Sequence, residues 1–221
     1  HLHTRYLGPV PPRNDIQGVQ EVIADAAATG ASAQLAHMPA MAGHSERSMR
    51  TVLRLLEGAQ AHGVDVTADA YPWRAGSTGL ESAVFDAGWQ ERMQVDYEDI
   101  VILETGERLT AETFEEYRND GEPTQILVYH VREETTEMAL THPHVMVGSD
   151  GGIRNGEGHP RGAGTYAKML RKYVREEGRL TLLEAIHKMS YQPAQRLVEA
   201  APVMRRKGRL TVGADADVVV F

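Results

Sequence analysis

An alternation of two periods over residues 15–73 constrains this chain more than any other feature. The segment DIQGVQEVIADAAATG places Ile16, Val19, Val22, Ile23 and Ala26 at three-and-four spacing, one apolar stripe along a helix, and stops at Gly30, a residue suited to a helix C-terminus. ASAQLAHM follows, short and mostly apolar, and ends at His37. SERSMRTVLRLLEGAQAHG returns to helical spacing, with Met49, Val52, Leu53, Leu56 and Ala59 on one face, and ends at Gly63. VDVTADAYPW then alternates at period two. A helical crossover carries the chain back to the end of the sheet at which the previous strand began, so strands joined this way run parallel under covering helices.

Beyond Gly79 the pattern loosens until about Pro143. EDIVILE and TQILVYHV read as strands and LTAETFEEYRNDG as a short helix capped by Thr110, so residues 79–143 form an excursion with one strand of the main sheet inside or beside it. Three helices follow: TYAKMLRKYVREEG, a second opening on the capping box Thr181–Glu184, and QPAQRLVEA with Pro193 in its first turn. The closing KGRLTVGADADVVVF is turn-rich with no helix signal, and is expected to be a small β unit over 206–221 beside a main body of residues 1–205.

The 221 residues suffice for one sizeable core, and a net charge of -8 without a basic run argues against nucleic acid as a partner. No apolar stretch reaches membrane-spanning length, and the absence of cysteine fits a reducing, cytoplasmic setting. The opening HLHTRY has no Met and reads like the end of a strand, so the chain is expected to be a piece of a longer protein. A barrel missing strands exposes edges, which predicts self-association.

Polar residues stand where apolar runs stop. Val145-Met146-Val147 ends at Asp150, two glycines follow, and His159-Pro160-Arg161 comes shortly after. His1 and His37 stand at two other strand ends. In a β/α barrel the C-terminal strand ends form the active-site face. Two imidazoles and a carboxylate from separate strands are donors that suit zinc. Each alone has a plainer reading: an Asp before Gly-Gly is commonly a turn former, a strand-end His commonly structural, and Arg161 could be a surface ion pair.

Several segments together resemble the N-acyl-D-amino-acid deacylase (D-aminoacylase) family of the amidohydrolase superfamily, in its C-terminal half. They are AQLAHM, VTADAYPWRAGST, HPHVMVGSDGG, HPRGAGTYAKMLRKYVRE, LTLLEAIHKMSYQPAQRL and KGRLTVGADADVVVF, in family order. The resemblance implies a partial (β/α)8, TIM-like metal-dependent hydrolase barrel carrying its later strands, with a small C-terminal β unit. It implies zinc, as one or two ions, with His1 and His37 as metal-binding residues at the fifth and sixth strand ends. Asp150 is implied as the eighth-strand acid that touches the metal and moves the proton. Tyr71, Ser77 and Arg161 are implied as holders of the substrate carboxylate, on a small-molecule N-acyl amino acid. The family's His-x-His pair and Cys would lie upstream of His1.

Two positions depart from the family pattern: Pro39 stands where Lys is common, and His3 where Arg is common. Both bear on acyl and side-chain preference. Two other readings stay open from sequence: a cyclic-amide hydrolase on the same barrel, and a non-catalytic fragment.

Overall fold

A computed structural model describes residues 1–11, 13–153, 156 and 158–221. The alternating region folds as its periods require. Helix α1 (Asp15–Thr29) starts on Asn14, whose side chain accepts from the Gln17 N–H, and ends on Gly30 at φ 72. Strand β1 (Ala33–Leu35) leads into the short α2 (Met38–Ala42) and the long α3 (Glu46–Ala61), the latter capped by Ser45. Strand β2 (Val66–Ala70) pairs parallel with β1, in the register Ala33↔Val66. On its other side β2 pairs parallel with β6 (Val145–Val147), giving the order β1-β2-β6. Leu2 adds a parallel bridge to Leu35, so four chain segments end at the same edge of this sheet.

Strand alternation separates two faces. Ala33, Leu35, Val66, Ala68, Ala70, Val145 and Val147 belong to a core shared with Val19, Val22, Val52, Leu56 and other helix residues. Gln34, Thr67, Asp69 and Met146 occupy the intervening positions and so face the other way.

The excursion builds a second sheet. Strands β3 (Ala75–Gly79), β4 (Ile100–Ile102) and β5 (Gln125–Tyr129) pair antiparallel in the order β3-β5-β4. Between them lie α4 (Trp89–Met93) and α5 (Ala111–Asn119). EDIVILE and TQILVYHV, read as strands of the excursion, both join this sheet, and the main-sheet strand lies beside the excursion, as β6. The reason is their single apolar face. Ile100, Ile102, Ile126 and Val128 cover an aromatic cluster of Phe85, Trp89 and Phe114, a core of their own. Trp89 and Phe114 stack at 5.3 Å between ring centroids. The chain returns through α6 (Glu133–Thr141), whose Ala139 and Leu140 rejoin the main core.

After β6, α7 (Arg161–Lys168) continues as a π-helical segment, Met169–Glu176. Helix α8 (Leu182–Ile186) opens on the foreseen capping box: the Thr181 hydroxyl accepts the Glu184 N–H, and the Glu184 carboxylate accepts the Thr181 N–H at 2.7 Å. Helix α9 (Gln192–Leu197) carries Pro193 in its first turn. Residues 206–221, expected to be part of a small β unit, hold no strand. A lone strand has no ladder partner here, and Leu210, Val212, Val218, Val219, Val220 and Phe221 are exposed. Ion pairs from Arg206 and Lys207 to Asp215, and from Lys207 to Asp217, hold this segment instead. Among the described residues no helix is long and apolar enough to cross a membrane.

Candidate functional site

The parallel strands end at one edge, and the chain conformation there is unusual. Three non-glycine residues among those described have positive φ, and two of them are His37 (φ 30), just past β1, and Asp150 (φ 47), just past β6. Left-handed backbone costs a non-glycine residue of order 1 kcal/mol or more and tends to collect at functional sites. Here it accompanies the approach of two side chains from separate strands: His37 Nε2 lies 4.0 Å from Asp150 Oδ2.

Arg161, at the start of α7, completes the group. Its Nη2 meets Asp150 Oδ2 at 2.7 Å and its guanidinium lies 4.6 Å from the centre of the Tyr71 ring. At 6% exposure Arg161 is buried, which separates it from an ordinary surface ion pair, and its Nε has no partner. His159 fixes the turn that delivers it. The His159 Nε2–H donates to the Ala75 carbonyl at 3.0 Å while Nδ1 accepts the Arg161 backbone N–H at 2.9 Å. That arrangement requires a neutral ring. Burial, aided by the nearby Arg161 charge, pushes the His159 pKa down to about 4. Burial likewise raises Tyr71 to about 12 against the opposing pull of Arg161, so Tyr71 stays a phenol. Burial lowers His37 too, although Asp150 works the other way.

Close backbone packing makes this possible. A Cβ on Gly151 would stand 2.3 Å from the Gly162 Cα, so the loop after β6 reaches α7 only because residue 151 is glycine. The result is a cleft of about 360 Å³ lined by Asp150, His159 and Arg161 on one side and by Ser77, Leu103 and Gln125 on the other. The second wall is the face of the β3-β5-β4 sheet turned away from the aromatic cluster.

Asp150, Arg161 and Ser77 therefore line one cleft, with His37 beside Asp150 and the Tyr71 ring against Arg161. His1 does not join them directly. Its Nε2 donates to Asp69 Oδ2 at 2.9 Å, because that carboxylate is the anion in reach on the neighbouring inner face. His3 stands against His37 instead, 2.7 Å between their Nε2 atoms. Among the described residues no three His, Asp or Glu side chains are gathered into a ready metal shell. The donor chemistry nonetheless fits a zinc-type ion. His37 has a buried Nδ1 without a partner, and His1, protonated on Nε2, keeps its lone pair on Nδ1.

Sequence reasoning passed over Asp69, Gln34, Gln125 and Leu103. Asp69 had a signal: a carboxylate inside an alternating strand, where Asp is disfavoured, two residues before Tyr71. Gln125 and Leu103 carried none, since only the folding of the excursion turns them toward Asp150.

No protein-family model matches the chain. Over its whole length it is 34% identical to N-acyl-D-glutamate deacylase of Alcaligenes xylosoxydans xylosoxydans. By sequence this chain is similar to the N-acyl-D-amino-acid deacylases. D-aminoacylase of the same organism is 29% identical over 78% of the chain. The chain spans less than half the length of these relatives, 45% of the first and 35% of the second. Among solved structures, N-acyl-D-glutamate deacylase from Bordetella bronchiseptica, complexed with zinc and a phosphonate inhibitor, superposes with a TM-score of 0.75 at 28% identity, over 91% of this chain and 42% of that one. A D-aminoacylase crystal structure gives a TM-score of 0.72 at 26% identity, over the same shares of both chains. The mixed α/β fold of this deacylase relative is thus shared with part of these structures.

Proposed function

We propose that this chain carries part of the active site of a zinc-dependent amidohydrolase that cleaves the amide bond of N-acyl-D-amino acids, releasing a carboxylate and a D-amino acid. The observation that carries the reading is the buried Arg161 paired with Asp150 at 2.7 Å, opposite His37, in a relative of the deacylases. The β1-β2-β6 sheet is read as later strands of a (β/α)8 barrel, with the shared strand ends at its mouth. One or two zinc ions, held by His1, His37 and Asp150, supply an acidified water and a Lewis acid for the carbonyl.

The remaining roles belong to the chain. Asp150 takes a proton from the attacking water and passes it to the departing nitrogen, which then leaves as a neutral amine and not as an amide anion. Arg161 offers the substrate carboxylate the buried Nε–H that has no partner, beside an Nη already ordered by Asp150. The Tyr71 phenol, un-ionised through the neutral pH range, stands against the same guanidinium. The Ser77 hydroxyl faces them across the cleft.

The test uses the full-length protein that contains these residues, its zinc content, and N-acetyl-D-amino acids beside their L forms and hydantoins. Asp150→Asn should lower kcat by about 10²–10⁴-fold. Full activity in that variant, or turnover of the hydantoins alone, overturns the reading.

A further inference from the structure

One carboxylate touches both candidate histidines. Asp69 lies in β2, the central strand of the parallel sheet, with a side chain only 14% exposed. Its Oδ2 accepts from His1 Nε2 at 2.9 Å and from Gln34 Nε2 at 3.0 Å. Its Oδ1 accepts from the backbone N–H of His37 at 2.7 Å. Gln34 cannot turn its amide around without loss, because its Oε1 is taken by the Thr67 hydroxyl. The network is therefore directional, from Thr67 through Gln34 to Asp69.

Each Asp69 bond removes a different freedom. A carboxylate on Nε2 fixes the proton there and leaves Nδ1 as the lone-pair nitrogen of His1. The bond to the His37 N–H restrains a residue whose φ of 30 is unfavourable for any side chain. That left-handed turn is what directs the His37 ring toward Asp150 and leaves its Nδ1 buried.

We propose that Asp69 is a positioning residue for both metal-binding histidines: Oδ2 sets the tautomer and heading of the His1 ring, and Oδ1 holds the backbone turn that presents His37. The inference rests on the zinc-hydrolase reading above. Three N–H groups already occupy its oxygens, so Asp69 acts through the histidines rather than as a ligand.

The test compares full-length wild type with Asp69→Asn and Asp69→Ala. Zinc affinity is read by chelator competition, the site by the visible spectrum of the Co(II)-loaded protein, and the fold by thermal denaturation without metal. Asn keeps an oxygen for the His37 N–H but presents an N–H to His1, which forces the proton to Nδ1. Its zinc affinity should fall about 10–100-fold, its Co(II) spectrum should change, and its metal-free Tm should fall only by the one bond lost where the new N–H meets that of Gln34. Asp69→Ala should lose more affinity. If Asp69→Asn binds zinc as wild type does, or its affinity loss comes with an equal collapse of the metal-free Tm, Asp69 does not position the ligands. Failure of wild type itself to bind zinc defeats the underlying reading instead, which keeps the two outcomes apart.

Discussion

Arg161 meets three different surroundings at once: an anion in Asp150, an aromatic face in Tyr71, and a buried Nε with nothing opposite. Lysine reproduces the charge but not the planar fork. Arg161→Lys should therefore raise KM for N-acyl-D-amino acids by about 10–100-fold, worth roughly 1.5–3 kcal/mol of a charged hydrogen bond, with a smaller effect on kcat in steady-state assays. His159 makes a pH prediction. Its folded pKa of about 4 lies below the ordinary imidazole value of 6.5, so between those limits the unfolded chain binds a proton that the fold refuses. Stability is complete above pH 6.5 and falls as the pH drops toward 4. In urea denaturation across that window His159→Gln should flatten the slope, though not abolish it, since burial lowers His37 and His142 as well. Part of this was legible at residue scale: His37 and Asp150 stood out as polar residues after apolar runs, and Arg161 as a basic residue beyond the glycine loop. The placing of His1 was not, because sequence gives the end of a strand but not which neighbouring carboxylate a ring will turn to.

At the scale of elements, periodicity carried what amphipathicity could carry. Helices α1 and α3 have one buried stripe each and could be read directly; β3, whose sequence is AGSTG, has almost no strand propensity and forms because β5 offers it a ladder. The π-helical stretch Met169–Glu176 was equally hidden, since one shifted hydrogen-bond register over eight residues leaves no distinct period. The glycine contact between the β6 loop and α7 is an element-scale constraint. Gly151→Ala should force the two backbones apart, cost about 1–3 kcal/mol as an overpacking change, and weaken catalysis by moving Asp150 from Arg161. Thermal denaturation and kcat, measured on one preparation, check both halves.

On the scale of the molecule, the chain has one core under the parallel sheet, a second under the antiparallel one, and an apolar C-terminal segment belonging to neither. That segment was read from its turn-rich sequence as part of a small β unit; it holds no strand here, since a strand is a property of two segments. A protein comprising these 221 residues alone should self-associate through it. Val218→Lys with Val220→Lys should shift its sedimentation toward monomer, and unchanged sedimentation would place the contact elsewhere.

The wall of the cleft that bears Ser77 and Gln125 is a sheet whose reverse side is bolted to Phe114 and Trp89 through Ile126 and Val128. Such a wall tilts as a slab and does not flex like a loop. On the proposed reading, a bulky amino-acid side chain beside the substrate carboxylate would press on it and meet the resistance of stacked rings lying on its far side. Selection for tolerance of larger substrates should accordingly return changes at Phe85, Trp89 or Phe114, none of which lines the cleft.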